Sequence, residues 1–341
     1  MKLTIHQFDL PLKHTFKTSH EARDVQPTMI IELGLKDQFG LGEAVATAYY
    51  GYSIEAMIAE VEAQRNNVER FDEFTNPDSF YRQLDLWFPE NSFIRCAFDI
   101  AANDLYGKLQ NKPLYELWGL SIENIPVSNY TIGIASLKKM KEKLIETPWP
   151  IYKVKLGTDE DINIVTELRS VTDSPFRVDA NCGWGADETI KNAVRLKPLG
   201  VEFIEQPLPA ASIEDMAAVK KQSVLPLIAD ENCMVPTDVA KCAPYFHGVN
   251  VKLTKCGGLT PARRMLAEAK ELGLKTMVGC MTESSVGISA IAHLLPLLDY
   301  VDMDGAILLS EDPAEGVWLN EQGIAQFTDR PGTGALLKLN L

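Results

Sequence analysis

From residue 124 to about residue 315, the chain alternates short apolar strands with amphipathic helical stretches. Eight candidate strands are visible, and they read PVSNYT, IYKVKLG, FRVDAN, VEFIEQP, PLIADE, GVNVKL, KTMVGC and YVDMDG. Successive strands begin about 25 residues apart, the usual size of a strand–helix unit in a barrel. Eight such units predict a closed parallel barrel of the TIM type, whose active site lies at the carboxyl ends of the strands.

The residues that precede this repeat have a different pattern. The segments KLTIHQFDLPL and TMIIELGLKDQFGLGEA predict antiparallel strands with turns at Asp37 and at Gly40 and Gly42. Two helical stretches follow, SIEAMIAEVEAQRNNVERF with Ser53 as its N-cap and the more apolar SFIRCAFDIAANDLYGKL. We therefore expect residues 1–123 to form an α+β domain and residues 124–315 to form the barrel. Residues 316–341 lack a helical repeat and are expected to return to the N-terminal domain.

The composition excludes several classes of partner. The 341 residues include 33 basic and 47 acidic side chains, a formal net charge of −14, without a Lys/Arg cluster, so nucleic-acid binding is not expected. No apolar run is long enough to cross a membrane, and the start lacks the apolar region of a signal peptide. The six cysteines form no CxxC pair and the five histidines show no ligand spacing. These features predict a cytoplasmic protein with reduced thiols and no zinc site.

Acidic residues stand at the ends of three consecutive barrel strands. Because the carboxyl ends of neighbouring parallel strands meet at one edge, the side chains of Asp179, Glu205 and Asp230 should converge. Three clustered carboxylates repel one another unless a cation lies among them, and oxygen ligands favour Mg²⁺. Exposure of a strand end to solvent would explain any one of these acidic residues. It does not explain why three consecutive strands all end in one.

Lysines are predicted on both sides of this site. Lys153 and Lys155 are two positions apart on the second strand and should face the same way. Lys252 belongs to the sixth strand, which lies across an eight-stranded barrel from the second. Lys155 and Lys252 should therefore face each other across the carboxylates. A second ammonium nearby lowers the pKa of a lysine toward the range of a general base.

Five motifs resemble the barrel motifs of the muconate-lactonizing subgroup of the enolase superfamily, and they read YKVKLG, VDANCGW, FIEQPLP, IADENC and VNVKLTKCGG. The segments FKTSHEARDV and GLGEA resemble the subgroup's N-terminal capping domain, so the resemblance covers nearly the whole chain. Within the subgroup, VDMDGAILL resembles the Asp-x-Asp motif of the dipeptide epimerases, the group that contains L-Ala-D/L-Glu epimerase. The resemblance implies a modified (β/α)7β barrel, one Mg²⁺ per subunit and a homo-oligomer.

The resemblance also implies a reaction, the transfer of a proton at the α-carbon of the second residue of a dipeptide. The implied metal ligands are Asp179, Glu205 and Asp230. Lys155 and Lys252 would act on opposite faces of the α-carbon. Lys153 would lie near the substrate carboxylate and lower the pKa of Lys155. Asp302 and Asp304 would hold the substrate's α-ammonium, and as residues i and i+2 of the last candidate strand they should face the same way. Further implied contacts are Thr131 and Cys280 to the substrate, and Asn181 and Glu231 behind the metal ligands.

One departure from the family pattern concerns the second residue of the substrate. In L-Ala-D/L-Glu epimerases an arginine of the N-terminal loop pairs with the glutamate side chain of the dipeptide. That position holds Glu21 here, and Arg23 is displaced by two residues. We therefore expect Ala-Ala or Ala-hydrophobic dipeptides to be better substrates than Ala-Glu.

Three related activities share the lysine pair and the metal site: N-acylamino acid racemase, o-succinylbenzoate synthase and muconate cycloisomerase. Asp302 and Asp304 argue against them, because their substrates carry no free ammonium. An alternative of a different class is a non-catalytic barrel that binds a metabolite. Binding alone has no evident need for lysines on both faces of a bound carbon.

Overall fold

The structure is a computed structural model that describes residues 1–17 and 22–338. These residues form an N-terminal antiparallel sheet with helices, an eight-stranded parallel sheet with helices, and a tail of short strands. No helix within these two ranges combines the length and the apolar character needed to cross a membrane.

The N-terminal region is a three-stranded antiparallel sheet covered by helices. Its strands are β1 Lys2–Lys17, β2 Ala22–Leu35 and β3 Gln38–Val45, paired in that order. Its helices are α1 Ile54–Arg70, α2 Pro77–Trp87, α3 Ser92–Leu109 and α4 Leu114–Leu117. The side chain of Ser53 accepts a hydrogen bond from the amide of Ala56, so it caps α1 as the sequence predicts. Helix α3 is buried along most of its length and packs on the sheet.

Gly40 and Gly42 lie inside β3 and do not form the turn that the sequence analysis assigned to them. The turn between β2 and β3 is made by Lys36 and Asp37. Helix α3 crosses β3 so closely that a Cβ atom at Gly40 would lie 2.1 Å from the carbonyl oxygen of Ala101. Glycine is therefore required at these two positions for the contact between helix and strand.

Eight parallel strands form the second sheet, which confirms the predicted barrel. They are β4 Tyr130–Ile132, β5 Tyr152–Lys155, β6 Phe176–Asp179, β7 Val201–Glu205, β8 Leu227–Ala229, β9 Gly248–Lys252, β10 Lys275–Gly279 and β11 Tyr300–Asp302. Each strand pairs with the strands next to it in the sequence. A parallel bridge between Ser128, just before β4, and Val301 of β11 brings the first and last strands together.

Helices connect the strands of the barrel and cover its outside. They are α5 Leu137–Glu146, α6 Asp161–Arg169, α7 Ala186–Leu196, α8 Ile213–Gln222, α9 Val239–Cys242, α10 Leu253–Cys256, α11 Leu259–Glu271 and α12 Ser285–Ala292. Short 3₁₀ segments span Lys197–Leu199, Ala210–Ser212, Pro236–Asp238, Leu295–Leu297 and Gly305–Leu308. The largest apolar core of the described residues joins the inner faces of these helices to the strands.

The C-terminal tail contains four two-residue strands and returns to the N-terminal region. They are β12 Ala314–Glu315, β13 Trp318–Leu319, β14 Ala325–Gln326 and β15 Leu336–Leu337, with β12 paired to β15 and β13 to β14. The amide of Thr333 donates to Asp104 of α3 at 2.7 Å. Leu337 packs with Ile30 and Leu41 of the antiparallel sheet. The domain boundaries at residues 123 and 315 stay predictions.

Candidate active site

Strand register brings three acidic side chains together at one end of the barrel. Asp179 ends β6 and Glu205 ends β7, and the two residues are direct neighbours across the sheet. Asp230 follows the last residue of β8. All three are buried, and one carboxylate oxygen of each lies within 4.8 Å of the others. The convergence expected from the sequence is therefore present in the structure.

This group of carboxylates fits a divalent cation. Its donors are all oxygen atoms, which suit Mg²⁺ better than a softer metal. One oxygen of Glu205, Oε2, is buried without a well-formed hydrogen bond, although the Nζ atom of Lys153 lies 2.8 Å away. Three negative charges at such short range need positive charge among them to remain ionised.

Two lysines flank the carboxylates from different sides. The Nζ atom of Lys155, at the end of β5, lies 2.6 Å from Asp179, and that of Lys252, at the end of β9, lies 2.8 Å from Asp230. Strands β5 and β9 are four steps apart in the sheet order, which is half of the barrel. Both lysines line the same cavity. The structure therefore has a lysine on each of two opposed walls.

Lys153 lies deeper than Lys155 and is surrounded by acidic groups. Its Nζ atom is 2.8 Å from Glu205, 2.8 Å from Asp302 and 3.2 Å from Asp179. Burial alone would lower the pKa of Lys153, but these carboxylates outweigh burial and raise it. The fold can place Lys153 beside Lys155 because the two ammonium groups share the carboxylate of Asp179, and Lys153 has Glu205 and Asp302 in addition. The predicted influence of Lys153 on the pKa of Lys155 stays a prediction.

The lysines in turn set the charges of the carboxylates. Burial would raise the pKa of Asp179, but Lys155 and Lys153 lower it, and Lys252 and Lys255 do the same for Asp230. Glu205 behaves differently, because burial and the charge on Asp179 raise its pKa to about 7. The cluster therefore contains two firmly ionised carboxylates, Asp179 and Asp230. The third, Glu205, has an ionised form that a further cation would stabilise.

Asp302 and Asp304 lie at the same cavity, next to Cys280. One ligand atom of each of these three residues lies within 4.8 Å of the others. The sequence analysis placed both aspartates on the last strand, but β11 ends at Asp302. Asp304 has left the extended conformation, with φ −86° and ψ 5°, and precedes a 3₁₀ turn. The two carboxyl groups lie close together. The alternation of side chains along a strand does not explain this, because Asp304 lies beyond the end of β11.

Thr131 and Cys280 lie where the sequence analysis expected them, on the cavity wall. The amide of Thr131 donates to Asp304 Oδ2 at 2.5 Å, and the amide of Cys280 donates to the carbonyl oxygen of Asp302 at 2.8 Å. Burial, followed by the charges of Asp302 and Asp304, raises the pKa of the Cys280 thiol. The thiol therefore stays protonated and is unsuited to nucleophilic chemistry.

Asn181 lies two residues after Asp179 and Glu231 one residue after Asp230, both beyond the ends of the strands, and both line the cavity. Asn181 has a left-handed backbone with φ 44°, which asparagine tolerates, and its amide donates to Asp179 Oδ1 at 3.0 Å. Burial and the charge on Asp230 raise the pKa of Glu231 to about 8. Asn181 and Glu231 therefore lie next to Asp179 and Asp230, the two aspartates behind which the sequence analysis placed them.

The cavity has a volume of about 110 Å³ and lies between the barrel end and the N-terminal region. The N-terminal region contributes Phe16, Arg23, Val45, Thr47, Tyr49 and Tyr50 to its lining. Arg23 hydrogen-bonds Gln26. Glu21, which the sequence analysis placed against the substrate side chain, lies outside the described residues. Among the described residues, the wall on this side is mainly apolar and aromatic, and Arg23 contributes a guanidinium.

Sequence reasoning missed several residues that support the site. Lys255 donates to the carbonyl oxygen of Asp230 at 2.6 Å and also contacts its carboxylate, and Asn250 donates to Glu205 Oε1 at 2.8 Å. Asn129 donates to Asp302 Oδ1 at 2.7 Å. The two asparagines could have been found, because each is two positions from a predicted site residue on the same strand or its extension. Lys255 lies on α10, and no strand periodicity points to it.

Residues 136–340 match the family model described as enolase C-terminal domain-like. An L-Ala-D/L-amino acid epimerase from Flavobacterium johnsoniae is 55% identical to this chain, over 99% of the chain and 100% of the relative. A dipeptide epimerase from Methylococcus capsulatus, in a crystal structure with Mg and the dipeptide L-Arg-D-Lys, superposes with a TM-score of 0.90 at 29% identity. That match covers 98% of this chain and 99% of the other.

A further crystal structure shares the fold at lower sequence identity. It is a dipeptide epimerase from Cytophaga hutchinsonii complexed with Mg and the dipeptide D-Ala-L-Val. The TM-score is 0.94 at 24% identity, and the match covers 99% of this chain and 96% of the other. The described residues, those of the N-terminal region included, therefore have the architecture of these proteins.

Proposed function

The chain belongs to the enolase superfamily, and from that premise we propose that it is a dipeptide epimerase that inverts the α-carbon of the second residue of its substrate. The observation that carries this proposal is the pair of lysines, Lys155 and Lys252, on opposed walls of one cavity that also contains three convergent carboxylates. The similarity to the Flavobacterium johnsoniae and Methylococcus capsulatus epimerases supports the dipeptide as substrate.

Two lysines on opposite faces suffice for the proton transfer. One neutral lysine amine takes the α-proton, and the electron pair of the broken C–H bond moves into the neighbouring carboxylate. The ammonium of the other lysine then gives a proton to the opposite face, and the electron pair returns to form the new C–H bond. The first lysine ends as an ammonium and the second as an amine, so charge and protons balance.

The carboxylate end of the substrate faces the metal site in this proposal. Asp179, Glu205 and Asp230 would hold Mg²⁺, which supplies Lewis-acid stabilisation of the negative charge that develops as the proton leaves. Lys153 adds a fixed positive charge at the same end, because the surrounding carboxylates keep it protonated. Asn181 and Glu231 support the metal ligands from the cavity side.

The other end of the substrate faces the pair of aspartates. An ammonium buried without a counter-charge is costly, so carboxylates in a closed cavity select strongly for a free N-terminus. Asp302 and Asp304 are both buried at this cavity, beside Thr131 and Cys280. We assign the substrate's α-ammonium to this end and a small first residue, alanine, to the space beside it.

The second side chain then points toward the N-terminal region. Phe16, Tyr49 and Tyr50 make this part of the wall largely apolar, which supports Ala-Ala and Ala-hydrophobic substrates. Arg23 is the one observation that favours an acidic second residue such as glutamate. In keeping with the sequence expectation, we propose that uncharged second residues are preferred by about 1–3 kcal/mol in kcat/KM. A homo-oligomer in the cytoplasm is proposed on family resemblance alone.

Deuterium uptake tests the proposed function. The protein with Mg²⁺ is incubated in D₂O with L-Ala-L-Ala, L-Ala-L-Leu, L-Ala-L-Glu, and N-acetyl and N-succinyl amino acids. We expect a mass gain of one deuterium and appearance of the other epimer for the first two dipeptides, and no turnover of the acylated compounds. The Lys138→Met variant, which changes an exposed lysine of α5, should behave as the wild type.

Each alternative activity has its own outcome in this experiment. A preference for L-Ala-L-Glu would overturn the assignment of the second residue and leave the dipeptide assignment intact. Efficient turnover of acylated amino acids would identify a racemase of the N-acylamino acid type. Binding of dipeptides without any deuterium uptake would identify a non-catalytic binding barrel.

A further inference from the structure

The backbone has a left-handed conformation at three positions next to the carboxylates of the proposed metal site. Gln206, with φ 33°, follows Glu205 at the end of β7. Asn181 and Cys182, with φ 44° and 64°, follow Asp179 at the end of β6. This conformation is unfavourable for most residues with a side chain and persists only where surrounding contacts enforce it. Glutamine has no special tolerance for it, so the contacts of Gln206 must supply the stabilisation.

The side chain of Gln206 is fully buried and makes four hydrogen bonds. Its Oε1 atom accepts from the amide of Asp230 at 2.9 Å and from the amide of Asn232 at 3.2 Å. Its Nε2 atom donates to the carbonyl oxygen of Leu208 at 2.8 Å and to Asn232 Oδ1 at 2.6 Å. Only one orientation of the side-chain amide satisfies all four partners. The side chain of Gln206 therefore holds the segment after β8, which begins with Asp230, in a fixed place.

The main chain of Gln206 connects the strands on either side. Its amide donates to the carbonyl oxygen of Ile228 in β8 at 2.9 Å, and its carbonyl oxygen accepts from the amide of Cys182 at 2.9 Å. Gln206 thus contacts β8 and the segment after β6, and it directly follows the last residue of β7. The ends of all three strands that carry the acidic side chains are joined through this one residue.

We infer that Gln206 is a positioning residue for the metal site, an assignment that rests on the proposed function. Gln206 is not one of the described residues that line the cavity, so it acts on a bound cation through its neighbours. Its side chain holds the backbone of Asp230, and its main chain fixes Asp230 relative to Glu205 and Asp179. The left-handed turn directs the side chain toward the segment after β8 while the peptide groups pair with the two neighbouring strands.

This role predicts an effect on metal selectivity. Mg²⁺ requires nearly ideal octahedral geometry with ligands at about 2.0–2.1 Å, whereas Ca²⁺ accepts ligands at about 2.3–2.6 Å in variable geometry. Without the contacts of Gln206, the site would keep its three charges but lose their spacing. The affinity for Mg²⁺ should therefore fall more than the affinity for Ca²⁺. A change of charge alone would affect both divalent ions, and a purely structural role would lower stability without changing their ratio.

Metal titrations of two Gln206 variants test the inference. Isothermal titration of the metal-free protein gives the Kd values for Mg²⁺ and Ca²⁺, and thermal unfolding establishes that each variant is folded. Gln206→Met removes the four hydrogen bonds at similar side-chain length. Gln206→Glu keeps an oxygen for the amides of Asp230 and Asn232 but turns a second oxygen toward the carbonyl oxygen of Leu208.

Two further variants complete the design. Gln222→Met is the matched control, because it makes the same exchange at the exposed end of α8. Gln206→Gly takes the place of Gln206→Met if the latter is unfolded. Glycine adopts a left-handed backbone without strain, so Gln206→Gly removes the side chain and relieves the backbone at the same time.

Gln206→Met is expected to raise the ratio of the Mg²⁺ Kd to the Ca²⁺ Kd by about tenfold or more, within the range that partners behind metal ligands contribute. Gln206→Glu should lower the midpoint of thermal unfolding but keep the wild-type ratio, and Gln222→Met should change neither. An unchanged ratio in folded Gln206→Met or Gln206→Gly, or an equal rise in Gln206→Glu, would overturn the inference alone. A wild type that binds neither Mg²⁺ nor Ca²⁺ would overturn the proposed function as well.

Discussion

Buried carboxylates occur in two regions of this molecule and are stabilised in different ways. The barrel-mouth carboxylates, Asp179, Glu205 and Asp230, are surrounded by the ammonium groups of Lys153, Lys155, Lys252 and Lys255. The junction carboxylates, Glu43, Asp99, Asp104 and Glu283, lie between the N-terminal region, the barrel and the tail. Most of their hydrogen bonds come from backbone amides and hydroxyl groups.

Glu43 of β3 illustrates the junction. Its carboxylate accepts hydrogen bonds from the amide and the hydroxyl of Ser284, from the amide of Gly287 and from the hydroxyl of Thr28. Ser284 and Gly287 belong to the start of α12, which follows the cavity-lining loop after β10. Asp99 of α3 binds the amide and hydroxyl of Thr260 at the start of α11 in the same way.

The difference separates a functional charge cluster from a structural one. Ammonium groups are charges that an incoming cation or substrate can replace, so the barrel-mouth carboxylates can change partners during a reaction. Amides at helix starts are fixed dipoles, and a carboxylate bound to them ties two elements together. The pKa values follow this division in part: lysines lower those of Asp179 and Asp230, whereas burial raises those of Glu43, Asp99 and Glu283 and also that of Glu205 in the barrel mouth.

The largest effect is expected for a barrel-mouth carboxylate. Asp230→Asn removes one charge from the proposed metal site and leaves Lys252 and Lys255 without their carboxylate partner. Epimerisation should fall about 10³-fold, because several kcal/mol of electrostatic stabilisation are lost, and the Kd for Mg²⁺ should rise. Chelation should abolish the wild-type activity, and Mg²⁺ should restore it. The control is Asp187→Asn in the exposed first turn of α7, which should keep full activity. Full activity of Asp230→Asn would contradict the distinction between functional barrel-mouth carboxylates and structural junction carboxylates.

A junction carboxylate should affect stability more than chemistry. All neighbours of Glu43 donate hydrogen bonds, so the amide nitrogen in Glu43→Gln would face donors. The free energy of unfolding should fall by about 2–3 kcal/mol, the worth of hydrogen bonds to a charged group, while the Kd for Mg²⁺ stays unchanged. Urea denaturation and titration calorimetry measure the two quantities.

Glu32→Gln is the matched control for this prediction. Glu32 lies on the neighbouring strand β2 and pairs with His6, but both side chains are 24% exposed. Its substitution should change the free energy of unfolding by less than about 1 kcal/mol. Equal destabilisation by both changes would show that Glu43 has no special part in joining the two regions.

The smallest effect is a pH dependence at the junction. Burial and the charge on Glu43 raise the pKa of Glu283 to about 8, so the folded protein favours the neutral form. The stability from this group is complete below its unfolded pKa near 4.5 and is lost as pH rises toward 8. Glu283→Gln should therefore match the wild type at about pH 4 and exceed it at about pH 8.5 by at least about 1 kcal/mol. A constant difference across this range in urea unfolding would contradict the assignment.

The fold was predictable because strand length, spacing and turn residues repeat along the barrel. The convergence of Asp179, Glu205 and Asp230 and the positions of the three lysines were predictable for the same reason, since the end of a parallel strand has a known place in a barrel. Gly40 and Gly42 were assigned to a turn because glycine is frequent in turns. Their actual requirement, the close crossing of α3, depends on a packing contact that sequence periodicity does not contain.

The supporting residues of the site were harder to predict. Lys255 reaches Asp230 from a short helix, and Arg177 reaches Asn129 across the barrel interior. Such contacts depend on side-chain directions after the barrel has closed. Asp304 was placed correctly at the cavity for a partly wrong reason, because it lies beyond the strand on which the i, i+2 argument relied. Local turn geometry therefore sets the position of Asp304, which strand periodicity does not give.

The central claim is that Lys155 and Lys252 act on opposite faces of one α-carbon, and exchange by single-lysine variants tests it most directly. Lys155→Ala and Lys252→Ala are incubated separately in D₂O with Mg²⁺ and with L-Ala-L-Leu or L-Ala-D-Leu, and deuterium uptake is followed by mass spectrometry. Each variant should lose interconversion of the epimers but retain uptake into one of them, and the two variants should retain it into opposite epimers. Interconversion at the wild-type rate by either variant, or uptake into the same epimer by both, would contradict the two-lysine mechanism.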